Sequence, residues 1–169
     1  MNYYILERDR RLGSLEGKFT YSDGLQQGFS YANPYEVIHV KGEGKRDYGC
    51  LLNHPLLLVS EELRQIFMRF DPALCCKTVA IFDEKIQGQI QYYMLNLVEV
   101  TGEVDPTAKT RNNSLITYTV RDELKTKCIF QLKVYHTSYL VLGLDIAEAV
   151  LRHSLYGVNV QKICLEERE

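Results

Sequence analysis

The stretch that most constrains this chain is Gln89–Val100, QIQYYMLNLVEV. Read with a period of two, one face carries Ile90, Tyr92, Met94, Asn96, Val98 and Val100. The other carries Tyr93, Leu95 and Leu97, with Gln91 and Glu99 at its ends. Both faces are largely apolar, which predicts an interior strand covered on two sides. Flanking Gly88 and Gly102, the Tyr and Val content and the polar ends select a strand over a buried helix.

A chain of 169 residues with 46% hydrophobic residues is expected to form one domain over 1–169. Its formal net charge of -2 gives no basic footprint for nucleic acid. The opening MNYYILERDRRLG meets charge already at Glu7 and lacks the apolar core of a secretory signal. No run approaches the roughly 20 apolar residues that span a bilayer. The expectation is therefore a cytoplasmic protein with neither a nucleic-acid nor a membrane partner. The five cysteines are odd in number, include the adjacent Cys75 and Cys76 and contain no C-x-x-C, a pattern of reduced, mostly buried thiols.

Around the central stretch the pattern predicts an α+β fold, a mixed and mostly antiparallel sheet with two main helices. Tyr3–Glu7 and Glu36–Lys41 read as strands, the latter ended by Gly42-Glu43-Gly44. Between them, Arg8–Ala32 reads as loops and short hairpins outside the core, with a turn at Ser22-Asp23-Gly24. Cys50–Val59 is an extended passage at a sheet edge around Pro55. Ser60 caps a helix whose face is Leu63, Ile66, Phe67 and Phe70, with Glu61 and Glu62 in its first turn and Asp71-Pro72 as its stop. Lys77–Phe82 is a strand, and Asp83–Gly88 turns into the central one. Thr101–Ser114 is the longest stretch without periodicity and predicts a long loop. Leu115–Val120 and Cys128–Val134 read as strands joined by the charged turn Arg121–Lys127. After the apolar Leu140–Leu142, Asp145 is placed to cap a second helix facing inward with Ile146, Ala149, Val150 and His153. Gly157 ends it, and Val158–Leu165 is the last strand. The apolar run, helix and strand thus occur twice at one spacing, which reads either as an internal pseudo-repeat or as the spacing that any two amphipathic helices share.

Chemistry-bearing patterns are few. His39, His54, His136 and His153 show no H-x-x-x-H or HExxH spacing, and no metal site or catalytic residue is predicted. Gly42-Glu43-Gly44-Lys45 lacks the rest of a phosphate loop, no G-x-G-x-x-G occurs, and no cofactor is expected. Asn112-Asn113-Ser114 is a glycosylation triplet without a secretion signal. The outstanding feature is twelve tyrosines with no tryptophan. Tyr21, Tyr31, Tyr35 and Tyr48 join Phe19 and Phe29 in a glycine-rich, charged segment, a composition that both protein interfaces and sheet cores use.

The chain resembles a family of small bacterial immunity proteins from polymorphic-toxin loci, the family catalogued as immunity protein eleven and formerly a domain of unknown function. The residues that carry the resemblance are Tyr3-Tyr4-Ile5-Leu6, Leu57-Leu58-Val59-Ser60-Glu61-Glu62-Leu63 and Tyr92-Tyr93-Met94-Leu95-Asn96. Ile129-Phe130-Gln131-Leu132 and Gly157-Val158 follow in order. It covers the two ends and nearly everything from Pro55 to Ile163. It departs at Gly143-Leu144-Asp145, where the family repeats a Ser-Glu start, and finds no match over Arg8–Lys45. The resemblance implies a cytoplasmic, non-enzymatic protein that neutralises a cognate toxin, encoded by an adjacent gene, through stoichiometric occlusion. The expected contact surface is Tyr31, Tyr35, Glu36, Glu43 and Asp47, with Asp105 as a second patch. The alternative is a ligand-binding or enzymatic domain with a pocket beside the central strand, Asn96 its polar handle and Tyr92 and Tyr93 its walls. Against that stands Asn96 as a satisfied core amide. A third reading is an adaptor that self-associates through a free sheet edge.

Overall fold

The computed structural model describes residues 2–105, 115–121, 124 and 128–168. The fold is α+β, and the chain divides into two compact units. One comprises Met1–Glu7, Leu97–Ser154 and Asn159–Glu169, the other Arg8–Asn96 and Leu155–Val158. Strand β1 (Tyr3–Arg8) starts in the first unit and leads into the second. The second unit then builds β2 (Lys18–Thr20), helix α1 (Asp23–Gln27), β3 (Tyr35–Lys41), β4 (Leu51–Leu52), β5 (Leu58–Val59), α2 (Glu61–Phe70), β6 (Cys76–Asp83) and β7 (Gly88–Leu95). The chain returns to the first unit with β8 (Glu99–Val104), β9 (Thr117–Val120), β10 (Ile129–Val134), β11 (Thr137–Gly143), α3 (Leu144–Arg152) and β12 (Val158–Glu167).

The second unit is an open six-stranded sheet ordered β2-β3-β6-β7-β5-β4, antiparallel except for β3 against β6. Alternate residues Ile38, Val40, Val79, Ile81 and Tyr92 point to one side and form its core with Leu52 and Leu58. Leu15, Leu25 and Ala32 complete that core, so Arg8–Ala32 is not the coreless segment its composition suggests. The expected turn at Ser22-Asp23-Gly24 is the start of α1, where the Ser22 hydroxyl accepts the Leu25 N–H at 3.1 Å. In α2 the Ser60 cap forms as predicted, accepting the Leu63 N–H at 3.3 Å. Leu63, Ile66 and Phe67 are buried, whereas Phe70 is exposed.

The first unit is a closed six-stranded barrel, β1-β11-β10-β8-β9-β12, with β8–β10 and β9–β12 parallel. The sequence pattern anticipates one sheet and not a closed barrel. Tyr3, Ile5, Val100, Tyr118, Val120, Phe130, Leu132 and Val141 are among the residues that fill it, and Tyr3 meets Phe130 edge to face at 5.6 Å. Gly102 sits inside β8, where a Cβ would stand 2.9 Å from Leu132 Cδ1. Residues 101–104 therefore belong to a strand, and the rest of the expected long loop lies mostly outside the described residues. The expected turn Arg121–Lys127 likewise lies largely outside them.

The central stretch is not one strand. β7 ends at Leu95, because its partner β6 begins at Cys76 and the ladder runs out. Asn96 still donates its N–H to Cys75 at 2.9 Å, and then the chain passes to β8 and the barrel. Within β7 only Tyr92 is fully buried, so this is not the doubly covered strand its composition predicts. The second helix also differs at its ends. Its N-cap is Gly143 without a side-chain bond, Asp145 lies in the first turn, and its buried face is Ile146, Ala147 and Val150. His153 is an exposed C-cap whose ring nitrogen contacts the Ala149 carbonyl at 2.7 Å. Gly157 does not end the helix. It lies at φ +81°, where a Cβ would meet Leu12 Cδ1 at 2.6 Å and Gly49 Cα at 3.0 Å. The apolar run, helix and strand do recur, as β5-α2-β6 and β11-α3-β12, one set in an open sheet and the other in a barrel. All five thiols are free, with Cys75 and Cys128 exposed and the others half-buried, not buried as expected.

Two substitutions on one helix test this packing. Phe67→Ala should lower the stability of its unit by about 3–5 kcal/mol, while exposed Phe70→Ala should cost under about 1 kcal/mol. Urea denaturation distinguishes them, and equal losses would contradict the helix orientation. Gly157→Ala should also destabilise, by more than about 1 kcal/mol, since it adds both a strained φ and a steric contact.

Candidate functional site

Strand alternation in the open sheet sends every second side chain away from its core. Cross-strand register places His39, Phe82 and Gln89 in one row and Tyr35, Thr78 and Tyr93 in another. Helix α2 packs against β7 and covers part of this outer face, its Arg64 guanidinium lying 4.6 Å from the Tyr93 ring centre. Along β3 and β6 the face is open towards its two ends, while Ala80 between them is fully buried and Val37 and Thr78 are half-buried. Tyr35 is 53% exposed and Phe82 39%, and the exposed His39 ring stacks on Phe82 with centroids 5.7 Å apart. At one of these ends a groove of about 470 Å³ opens over His39, Phe82 and Gln89, bounded by Lys41, Glu84 and Gln87.

The groove has a rigid rim. Arg46 and Asp83 form an ion pair whose side chains are each 1% exposed. Arg46 Nε and Nη2 donate to the two Asp83 oxygens at 2.7 and 2.9 Å, and the Tyr48 hydroxyl and Lys85 N–H add bonds at 2.7 and 2.9 Å. Arg46 Nη1 also donates to the Glu16 and Gly42 carbonyls at 3.0 and 2.9 Å. Glu84 accepts the Gly42 N–H at 2.8 Å, and Glu16 accepts the Lys45 N–H at 3.0 Å. Residues 42–48 are thereby tied to the β6–β7 turn. Bonding from Arg46, with smaller help from Tyr48 and Lys85, holds the Asp83 carboxyl down to about 2 against the cost of burial. Burial and the bond to Asp83 raise the Tyr48 hydroxyl well above its ordinary range. Every polar atom of the pair is occupied, so this is a brace and not an acid–base device.

The structure separates the residues expected at the contact surface. Tyr31, 68% exposed, precedes Tyr35 at the start of β3, whereas Glu43 and Asp47 lie beyond its far end, a strand length of about 20 Å away. Glu43 is fully exposed, 3.7 Å from Lys85. The Asp47 carboxylate accepts the Tyr156 hydroxyl at 2.7 Å, and its carbonyl accepts from Arg8. Glu36 drops out of the surface because it is only 6% exposed. Its carboxylate binds the Ser22 hydroxyl at 3.0 Å and the Asn33 N–H at 2.9 Å, pinning the preceding segment to β3. Asp105 is half-buried in the other unit, its N–H donating to Thr117 at 3.0 Å. Asn96 is exposed past the end of β7, so it is neither a core amide nor a pocket handle. Tyr92 is buried with its hydroxyl donating to the Gly49 carbonyl at 2.7 Å.

His39, Lys41 and Phe82 were not among the expected site residues. The signal was present in the alternation of EVIHVK, which puts Val37, His39 and Lys41 on the side away from Ile38 and Val40. Among the described residues, no group of three or more His, Cys, Asp or Glu side chains is arranged to hold a metal ion. No protein-family model and no curated protein matches the chain.

The brace has a pH signature. A carboxyl held below its unfolded value contributes stability that is fully present above about pH 5 and is lost as pH falls toward about 2. Asp83→Asn should remove part of the acid slope of stability over that window and, by breaking a buried pair, cost about 3–5 kcal/mol at neutral pH. Denaturation midpoints from pH 7 downward check both; an unchanged slope would contradict this role.

Proposed function

We propose that this chain is an immunity protein that binds a cognate bacterial toxin in the cytoplasm and blocks it by stoichiometric occlusion, without turnover. The observation that carries the reading is that Tyr35, His39 and Phe82 stand exposed on one face of a sheet whose rim is braced by buried bonds. Exposed aromatics on a preorganised surface supply contact area at low ordering cost, which is how tight protein interfaces obtain affinity. The resemblance of the segments from Tyr3 to Leu6 and from Leu57 to Leu63 to the immunity family supports the same reading. Tyr31 and Glu43 extend this face at its two ends, while Asp105 is a separate patch on the barrel unit.

The groove favours a second reading, a small apolar ligand over His39 and Phe82, in a binding or enzymatic domain. Its volume lies within the range of small-molecule sites. It lies at the Gly88 end of β7, opposite the expected Asn96 end.

Co-expression with the product of the neighbouring upstream gene separates the two readings. The immunity reading expects a complex that survives purification and rescue of growth when the toxin is induced. Tyr31→Ala and Tyr35→Ala together should weaken that complex at least about tenfold with a nearly unchanged melting temperature. Failure of both co-purification and rescue would overturn the reading.

A further inference from the structure

This outer face is basic as well as aromatic. Lys18 on β2 and Lys41 on β3 are directly paired across the strands, and Thr20 pairs with His39. Phe19, between Lys18 and Thr20, packs toward the core, which sends both neighbours to the outer side. Like charges placed opposite each other on adjacent strands destabilise a sheet slightly. Neither ammonium group has an ion-pair or hydrogen-bond partner among the described residues. The strand residues that share this face, Thr78, Phe82, Gln89 and Gln91 among them, include no carboxylate. Glu84, in the turn that bounds the groove, is bonded to the Gly42 N–H at 2.8 Å. The groove thus combines an aromatic floor and amide sides with Lys41 at one end, where the Glu84 carboxylate also stands, and Lys18 lies just outside it, paired with Lys41 across the strands.

We propose that this groove docks an acidic segment of a partner protein. An aliphatic or aromatic side chain of that segment fills the space over His39 and Phe82, while its flanking carboxylates meet Lys18 and Lys41. The apolar anchor supplies the affinity and the opposite charges set orientation and selectivity. This deepens the binding reading and rests on it for the identity of the partner, but the chemistry of the segment follows from the face alone.

The test uses the full chain, isotopically labelled for NMR, and two capped pentapeptides. One places phenylalanine between two pairs of aspartates and the other between two pairs of lysines. The acidic peptide should shift the amides of His39, Phe82 and Gln89 with an affinity about tenfold above that of the basic one, as two exposed ion pairs allow. Lys18→Glu with Lys41→Glu should reverse the order, and Phe82→Ala should abolish the groove shifts for both. In the unaltered chain the preference should collapse between about 0.05 and 0.5 M salt, a readout that needs no variant. Equal binding of the two peptides, or shifts elsewhere only, would overturn the proposal. So would groove shifts that grow with protein concentration without peptide, because the occupant would then be a second copy of the chain. The outcome is independent of toxin co-purification, so either reading can fail alone.

Discussion

The buried Arg46–Asp83 pair is the interaction on which the geometry of the open-sheet unit's surface depends. Asp83 stands at the end of β6, and its two oxygens take bonds from Arg46, Tyr48 and the turn backbone. A buried pair contributes little net stability compared with an apolar substitute, because desolvation opposes the attraction. Its effect here is positional. Tyr48 anchors the end of this segment on the core beside Tyr92, and Arg46 adds the bonds that tie the polypeptide from Gly42 onward to the β6–β7 turn. Asp83, Glu84, Gln87 and Gly88 of that turn line one end of the groove, so a packing decision at one buried carboxylate shapes an exposed surface.

The same logic explains Glu36. Its alternation within β3 points it inward among Ile38 and Val40, where a carboxylate must be hydrogen-bonded. Ser22 and Asn33 satisfy it and are themselves fixed by it, which orders α1 and the approach to Tyr35. Two buried acids thus hold the segments at the two ends of β3, and the outward-facing Tyr35, Val37, His39 and Lys41 alternate between them, Val37 half-buried and the others exposed. An acidic residue in a tyrosine-rich segment reads as part of an interface on composition alone. Only its strand parity reveals the structural role.

Much of the local structure was legible in the sequence. The Ser60 cap, the inward face of α2, the strand over Glu36–Lys41 and the parity of Ile90, Tyr92 and Met94 follow from periodicity and capping chemistry. The failures share one physical cause, that periodicity says which side a residue faces and not which element lies there. Val100 shares the parity of Tyr92, yet it packs in the barrel while Tyr92 packs under the open sheet. Phe70 and His153 continue apolar helix faces in register, but each lies at a helix end where the neighbouring layer has stopped.

The sequence by itself determined the α+β class, the main helix and most strand segments, because side-chain alternation and cap residues act over a few positions. Tertiary structure alone decided that the chain closes one set of strands into a barrel and leaves another open. It also decided that Gln89–Val100 is divided between them, and that His39, Phe82 and Lys41 share an uncovered groove while Glu36 is hidden. Those outcomes depend on which distant strands pair and where each ladder ends, and no local pattern of residues encodes that.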